Sequence, residues 1–256
     1  MKKNMKKLSI YEEIREHYEL EGFVAVKKVF SDTTLARLRS DLVSSLGELC
    51  SKKGGIGHDT TFDSKLIYLE SIDKPLLHRY QIYASKLNSL LGATADLQES
   101  LSIIFPEKTL YFEGMGFVFG IPKTTRLSYG WHQDGTYHQD DTSSRIHVWF
   151  PIFLDVCLEN GAMSFLKGSH RAGVLGYCKE KSHSMGYTTN KVADIETVQK
   201  GCEELICSLN LGDCVIFSDT IVHRSNPNQT GLCRFAGVFK FSTVPTSSTA
   251  IELVGV

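Results

Sequence analysis

The sequence lacks a C-x-x-C pair, a long apolar run and an excess of charge of either sign. Its seven cysteines are an odd number, and without close pairs they argue against a zinc ribbon or a disulfide framework. No apolar run approaches the roughly 20 residues that cross a bilayer. Lysine and arginine (28) nearly balance aspartate and glutamate (29). Bulk charge therefore favours neither a nucleic acid nor a membrane as a partner, and we expect neither.

The N-terminal segment also lacks the pattern of a secretory signal. Its basic start, residues 1–7, is followed by Leu-Ser-Ile-Tyr-Glu-Glu, where a signal peptide would be apolar. We therefore predict a cytoplasmic protein with reduced thiols. Cys157 and Cys214 lie in apolar runs and are expected to be buried, and no motif supplies a partner histidine for a cysteine nucleophile.

No internal repeat or low-complexity tract divides the 256 residues, so we predict a single domain over 1–256. Residues 1–105 have mostly helical periodicity. Gly22 is placed to end a first helix, Ser31 or Asp32 to cap a second, and Pro75 lies in the first turn of a third that Gly92 closes. Residues 51–62 are predicted to form a flexible loop at the mouth of an active site.

From about Thr109 the apolar period changes to two, which is typical of strands. Arg145–Val156 is the clearest strand. Shorter strands are expected at 23–30, 162–166, 204–209, 213–218 and 234–243. This pattern predicts a mainly β protein with flanking helices, in which a double-stranded β-helix (jelly-roll, cupin-like) core over 106–245 carries the N-terminal helices. Residues 172–203 are expected to form a long loop or lid.

The triplet His132-Gln133-Asp134 has the spacing of a metal site. On a strand, residues two apart point to the same side, so His132 and Asp134 can address one ion. With His223 they complete a 2-His-1-carboxylate set, which binds iron(II) on one face and leaves the opposite face open. A surface turn with a satisfied histidine is the alternative for the triplet alone.

Arg234 strengthens the case for a metal site with an acidic cosubstrate. It opens an apolar strand pattern, and an arginine that points into a barrel needs an anion. Ser225, two residues after His223, can add a hydroxyl donor to the same carboxylate. The alternative is a structural ion pair between Arg234 and Asp155 or Asp213.

These motifs together resemble the phytanoyl-CoA dioxygenase family of iron(II)- and 2-oxoglutarate-dependent oxygenases. The resemblance covers roughly residues 10–243, with motifs in family-like order and spacing. The residues that carry it are Tyr18–Val24 with Phe30–Asp32, Trp131–Asp134, Asn160–Arg171, Gly212-Asp213 with Phe217, His223–Ser225 and Arg234. Lys167 stands where the family usually has proline, which affects only the rigidity of a turn.

The resemblance implies the fold, the cofactors and the roles of the site residues. His132, Asp134 and His223 match the iron ligands, and these three are the expected catalytic centre. Arg234 and Ser225 match the grip on the distal carboxylate of 2-oxoglutarate, and Trp149 matches an aromatic that lines the cosubstrate pocket. Iron(II), 2-oxoglutarate and O₂ are then expected to hydroxylate an unactivated C–H bond, with release of succinate and CO₂.

A small metabolite or a natural-product intermediate is the expected substrate. The candidate contacts are Tyr137, His138, Arg145 and His147, although a rim or cross-strand role is an equal alternative for the last two. Lys123, Arg126 and Arg145 hint at an anionic group on the substrate. The sequence leaves undecided whether the protein is a monomer or a homo-oligomer.

Two other functions compete with an oxygenase. Zinc or manganese on the same ligands would make a hydrolase, which leaves Arg234 and Ser225 without a role. A jelly roll also hosts non-catalytic binding proteins. Within the oxygenases, related halogenases replace the carboxylate ligand with a small residue. Asp134 therefore favours hydroxylation, or another outcome of hydrogen abstraction such as desaturation, cyclisation or epimerisation.

Overall fold

A computed structural model describes residues 2–53, 60–88, 95–124, 129–138, 144–181, 188–246 and 251–253. The helices along these residues are α1 (Lys2–Glu21), α2 (Asp32–Lys53), α3 (Phe62–Ile72), α4 (Lys74–Leu87), α5 (Ala95–Ile104) and α6 (Ile195–Gly201). The strands are β1 (Phe23–Val26), β2 (Leu110–Gly120), β3 (Arg145–Pro151), β4 (Met163–Leu166), β5 (Tyr177–Lys181), β6 (Thr188–Val192), β7 (Glu204–Cys207), β8 (Cys214–Ser218), β9 (His223–Ser225), β10 (Arg234–Ser242) and β11 (Ile251–Leu253).

Two antiparallel sheets build the β-rich half. The larger sheet has the strand order β1-β8-β3-β10-β2-β11, and the smaller has the order β7-β4-β9. Strand β10 lies between β2 and β3, where Val238 is paired with Gly116 on one side and Trp149 on the other. The central strands of the larger sheet are therefore covered on both faces, by helices on one side and by the smaller sheet on the other.

Alternate side chains of strand β3 pack into two different hydrophobic cores. Ile146, Val148 and Phe150 belong to a core shared with helices α2 to α5. Trp149 points the other way, into a second core between the two sheets. All seven residues of the strand are buried. One continuous core thus joins the helices to the larger sheet, and a single domain over 1–256 stays a prediction.

The N-terminal helices begin and end largely where the caps predict. Gly22 follows α1 with a φ of +83°, a left-handed conformation that glycine adopts without strain. The side chain of Asp73 accepts from the backbone N–H of Leu76 at 2.9 Å and so caps α4. The expected helix end at Gly92 lies outside the described residues.

Two predicted loops contain regular structure. Helix α2 runs to Lys53 and α3 begins at Phe62, so both ends of the predicted loop 51–62 are helical, and its residues 54–59 lie outside the described part. Over 172–203 the prediction of a long loop was wrong for the described residues, because β5 pairs with β6 and α6 follows. Helices α3 and α5 were also missed. The strands expected at 145–156 and 23–30 are shorter, ending at Pro151 and Val26.

The cysteines divide by position. Cys214 is buried as predicted, whereas Cys157 is exposed, because it lies just after the end of the strand pattern. Burial raises the pKa of the Cys207 thiol to about 12, which keeps it protonated and unreactive. Among the described helices, none combines the length and the apolar character that a bilayer crossing requires.

Asp213 is expected to stabilise the edge of the larger sheet where β1 pairs with β8. Its carboxylate accepts from the backbone N–H groups of Lys28 at 3.0 Å and Asn210 at 3.1 Å, and it is buried. Asp213→Ala leaves both donors without a partner and should lower the free energy of unfolding by about 2 kcal/mol or more. Denaturant unfolding measures this, with the exposed Glu16→Ala on α1 as the control. Equal losses in the two variants would contradict the role of Asp213.

Candidate active site

A cavity of about 440 Å³ opens between the two sheets. Its inner wall is largely apolar, with Trp149, Phe217 and Val238 from the larger sheet and Met163 from the smaller one. Polar residues gather on one side of it. They are Tyr129, His132, Asp134, Tyr137, His138, His147, Thr188, Thr189, His223, Ser225 and Lys240.

Backbone pairing brings the two distant histidines together. His132 and His223 form an isolated antiparallel bridge, with reciprocal N–H to carbonyl bonds of 3.0 Å. Asp134 then begins a 3₁₀ turn over Asp134–Tyr137. The triplet is therefore not part of a regular strand, although the argument from its spacing used strand geometry. The bridge holds His132, and the turn directs Asp134 back towards it.

The middle residue of the triplet, Gln133, fixes this turn. Its side chain is fully buried. The amide nitrogen donates to the carbonyls of Gly173 and Thr220, and the amide oxygen accepts from the N–H of Leu175 at 2.7 Å. Three separate segments are thus connected by one side chain, so the position of the turn is tied to the loops around it.

The three predicted ligands meet at one point. One ligand atom from each of His132, Asp134 and His223 lies within 4.8 Å of the others. Nε2 of His132 is 3.6 Å from Oδ1 of Asp134, and Nε2 of His223 is 3.9 Å from Oδ2. This donor set and spacing fit a divalent metal ion.

The ring orientation of both histidines suits metal binding. Nδ1 of His132 lies 2.7 Å from the carbonyl of Gly130, and Nδ1 of His223 lies 3.0 Å from that of Ile221. A proton on each Nδ1 leaves the Nε2 lone pair free towards the shared point. Burial, with the neighbouring His132, lowers the pKa of His223 to about 3. Its imidazole is therefore neutral at physiological pH, as a metal ligand must be.

The carboxylate of Asp134 is ionised for a related reason. Burial by itself raises its pKa, but His147, His223 and His132 around it outweigh that effect and hold the pKa well below its usual value. A second carboxylate behind it behaves differently. Burial, together with the charge of Asp134, raises the pKa of Asp219. Asp134 is thus the acidic group that is poised to bind a cation.

His147 lies beside the three candidate ligands. Its Nδ1 is 2.9 Å from Oδ2 of Asp134, on the inner face of β3, although the two atoms are not aligned for a hydrogen bond. The ring is almost completely buried and packs 5.2 Å from that of Phe217. Sequence reasoning treated His147 as a substrate contact; the structure adds a contact with the carboxylate ligand itself.

Arg234 is a buried cation that has no carboxylate partner among the described residues. It is 2 % exposed, and Nη1 donates to the carbonyl of Gly161 at 2.6 Å, whereas Nε has no partner. Burial lowers the pKa of Arg234 to about 10, so it stays charged at neutral pH. Such an orphaned donor fits the carboxylate of a bound ligand.

The two carboxylates that could have neutralised Arg234 are used elsewhere. Asp155 accepts from the N–H of Leu211 at 2.7 Å, and Asp213 accepts from Lys28 and Asn210. No ion pair joins either of them to Arg234 in the described part of the chain. The structural ion pair that remained open at the sequence level is therefore absent from these residues.

Ser225 and Trp149 both line the cavity. The centre of the Trp149 ring is 5.7 Å from Cζ of Arg234, and Ser225 reaches the cavity from strand β9 of the smaller sheet. Trp149 thus connects the buried Arg234 to the cavity wall.

Of the other residues predicted to contact the substrate, some line the cavity and others do not. Tyr137 and His138 line the cavity, and the Tyr137 hydroxyl accepts from the N–H of Asn190 in β6 at 2.9 Å. Arg145 is buried against Glu113, with Nε 3.1 Å from Oε2, and does not line the cavity. Lys123 is exposed outside it. Arg126 lies outside the described residues.

Several polar residues of the cavity, among them Lys240 and Thr189, were not predicted from the sequence. Lys240 was hidden because a lysine near the end of an apolar strand is usually solvated. Thr189 lies in a segment that was predicted to be a loop. Strand parity could have found Lys240, because it shares the face of Arg234, Ala236 and Val238.

Comparisons with known proteins identify the relatives of this fold. The family model described as "Phytanoyl-CoA dioxygenase (PhyH)" matches residues 18–236. A phytanoyl-CoA dioxygenase domain-containing protein 1 homolog from Dictyostelium discoideum is 27% identical over 111 residues. That match covers 43% of this chain and only 39% of the relative's length.

Solved structures with low sequence identity share the fold. The epimerase SnoN, in complex with Fe3+, alpha ketoglutarate and nogalamycin RO, has a TM-score of 0.62 at 16% identity, covering 94% of this chain and 85% of that one. The non-heme monooxygenase ThoJ has a TM-score of 0.61 at 18% identity, covering 95% and 84%. The carbocyclase SnoK has a TM-score of 0.54 at 18% identity, covering 90% and 83%. The predicted double-stranded β-helix class, with helices packed on it, is confirmed.

Proposed function

The chain belongs to the phytanoyl-CoA dioxygenase family of iron- and 2-oxoglutarate-dependent oxygenases, and on this basis we propose the reaction it catalyses. The protein hydroxylates an unactivated C–H bond of a small metabolite or natural-product intermediate. Substrate, 2-oxoglutarate and O₂ are converted to hydroxylated substrate, succinate and CO₂. One observation supports this most directly: the three candidate ligands line a cavity whose wall residue Trp149 contacts Arg234, a buried arginine with no carboxylate partner among the described residues.

His132, Asp134 and His223 hold the iron in this proposal. Their two free Nε2 atoms and one carboxylate oxygen supply three ligands on one face, and the cavity lies on the open side. The backbone bridge between the two histidines and the backbone carbonyls that accept from their Nδ1 atoms hold this arrangement before any metal binds. His147 acts as a positioning residue, because its contact with Oδ2 limits the rotation of Asp134.

Arg234 binds the distal carboxylate of 2-oxoglutarate. Its unpaired Nε lies in an environment that excludes water, where a charge-assisted hydrogen bond is strong. Ser225 donates its hydroxyl to the same carboxylate, and Trp149 covers the carbon chain. The proposal gives each of these three residues a function, which a hydrolase with zinc on the same ligands does not.

When bound, iron and 2-oxoglutarate activate O₂ for cleavage of the substrate C–H bond. The chain itself positions the reactants and excludes bulk water. Phe217, Trp149 and Val238 form an apolar wall that keeps bulk water from the reacting carbon. Tyr137 and His138 lie at the open side, where substrate enters, and the former is held by strand β6.

The type of product that follows hydrogen abstraction is the more detailed part of this proposal. SnoN is named an epimerase and SnoK a carbocyclase, both alpha ketoglutarate dependent and both from nogalamycin biosynthesis. Their common fold with this chain supports a natural-product intermediate as substrate. Asp134 supports an outcome other than halogenation, and hydroxylation is the outcome we propose.

The test is a screen for compounds that stimulate succinate formation. Purified protein receives iron(II), ascorbate and 2-oxoglutarate, and succinate is measured with each member of a metabolite library. We expect at least one compound to raise succinate above the uncoupled background, and a product that gains one oxygen atom from ¹⁸O₂. The His132→Ala variant is the matched control and should form no succinate.

Three results would count against the proposal. Succinate formation that does not depend on iron would remove the cofactor assignment. Turnover of a substrate with zinc(II) and without 2-oxoglutarate would favour a hydrolase instead. Ligand binding that survives in His132→Ala, with no succinate from the wild type, would favour a non-catalytic binding protein.

A further inference from the structure

We propose that Lys240 binds an anionic group of the substrate, a carboxylate or a phosphate, inside the cavity. This inference rests on the proposed function, because it names the substrate class of the same site. It places two anion sites on one strand: Arg234 at one end of β10 for the cosubstrate, and Lys240 near the other end for the substrate.

The position of Lys240 on β10 is the first observation. Arg234, Ala236, Val238 and Lys240 alternate along the strand and share one face. Ala236 and Val238 pack in the core between the two sheets, so this face points inwards. Every other residue of β10 is buried, and Lys240 alone is exposed, where the cavity opens. The exposed side chain of Lys240 therefore faces the cavity.

The second observation is how close Lys240 lies to the candidate metal ligands. It is paired with His147 of β3, and the side chains of directly opposed residues start about 5 Å apart. His147 in turn contacts Asp134. An anion bound by Lys240 would therefore share one cavity with the candidate metal ligands, which favours a substrate that carries its charged group and its reacting carbon into the same cavity.

The third observation is the balance of charge. Glu113, the carboxylate of the neighbouring strand β2, is paired with Arg145 and also accepts from Thr246. In the described residues no carboxylate lies within ion-pair distance of Lys240. Burial, with the charges of Arg145 and Lys240, lowers the pKa of His138, which keeps this neighbour neutral. Among the described residues, no carboxylate thus compensates the charge of Lys240 at the cavity wall.

These observations identify a ligand by its chemistry. A cation that lines a cavity, with no carboxylate partner among the described residues, favours a ligand that brings the opposite charge. Lysine acts as a point charge, so it accepts either a carboxylate or a phosphate. A wholly neutral substrate would not use this charge.

Direct binding tests the proposal without turnover. Protein is loaded with zinc(II) in place of iron and with 2-oxoglutarate at a level that just saturates Arg234, as measured in the same calorimeter. It is then titrated with phenyl phosphate, benzoate and neutral benzamide. We expect at least one anion to bind tenfold or more tightly than benzamide, and the choice between the two anions distinguishes a phosphate from a carboxylate substrate.

Variants assign the effect to one side chain. Lys240→Met should remove the preference for the anion, and Lys240→Arg should retain it. Lys123→Met, which changes an exposed lysine outside the cavity, should bind like the wild type. The proposal is overturned if neither anion binds better than benzamide, or if the preference persists in Lys240→Met. Failure of the proposed function appears separately, as absent iron-dependent succinate formation.

Discussion

Replacing His132, Asp134 or His223 with alanine will abolish iron-dependent succinate formation. Each side chain brings one of the three ligand atoms that lie within 4.8 Å of each other, and each variant keeps only two. Loss of a residue that merely supports a metal ligand typically costs 10- to 100-fold in affinity or activity, so loss of a ligand should cost more than about 100-fold. Bound iron per chain and the initial rate of succinate formation measure both effects.

An exposed histidine that does not line the cavity provides the control. His17 lies on α1, and His17→Ala should keep the iron content and the rate of the wild type. The ligand variants should still fold, because the bridge between His132 and His223 is formed by backbone groups that alanine retains. A ligand variant that retains the iron content of the wild type would show that the metal, if present, is held by other residues.

The ligand set was the part of the site that sequence could predict best. Two ligands stand two residues apart, and the third follows a clear strand, so local patterns report them. Arg234 was predicted for a different reason, since its strand parity directs it inwards. The physical basis is the same in both cases: an alternating strand reveals which side chains share a face.

The parts that sequence did not predict depend on contacts between distant segments. Gln133 connects residues that are 40 and 87 positions away, and no local pattern reports such bonds. The contact between His147 and Asp134 likewise requires the pairing of β3 with β8 and the turn after the His132 bridge. The apolar periodicity of the sequence also could not show that His132 pairs with His223 through a bridge of one residue, or that a turn follows it.

The fold followed a similar division. The long apolar stripes of α2 and α4 and the strong alternation of β3 and β10 were found, because burial imposes them. The hairpin β5–β6 was missed because β5 is largely exposed, and an exposed hairpin needs no apolar alternation. Its polar composition therefore looked like a loop, although it carries Thr188, Thr189 and the partner of Tyr137 to the cavity.

Arg234→Met will raise the KM for 2-oxoglutarate by at least about 100-fold, because each hydrogen bond to a charged group contributes roughly 1.5–3 kcal/mol and a bidentate contact would make two of them. The KM should change far more than the kcat, since Arg234 contacts the end of the cosubstrate that does not react. Succinate formation at increasing 2-oxoglutarate gives both constants. Arg37→Met, at an exposed position on α2, should change neither.

Stability distinguishes this role from a structural one. Burial lowers the pKa of Arg234 to about 10, so keeping the guanidinium charged inside the folded protein costs free energy. Arg234→Met removes that cost along with one bond to the carbonyl of Gly161. Without ligands the variant should therefore melt no lower than the wild type.

Cosubstrate should reverse the order of the two proteins. A ligand that binds only the folded state raises stability with its concentration, so 2-oxoglutarate with zinc(II) should raise the Tm of the wild type. The Arg234→Met variant should gain little at the same concentration, because its affinity is lower. If Arg234→Met instead melts well below the wild type without ligands and responds normally to 2-oxoglutarate, the arginine is structural. A buried cation with no carboxylate partner among the described residues makes the first pattern the expected one, since its counter-charge arrives with the ligand.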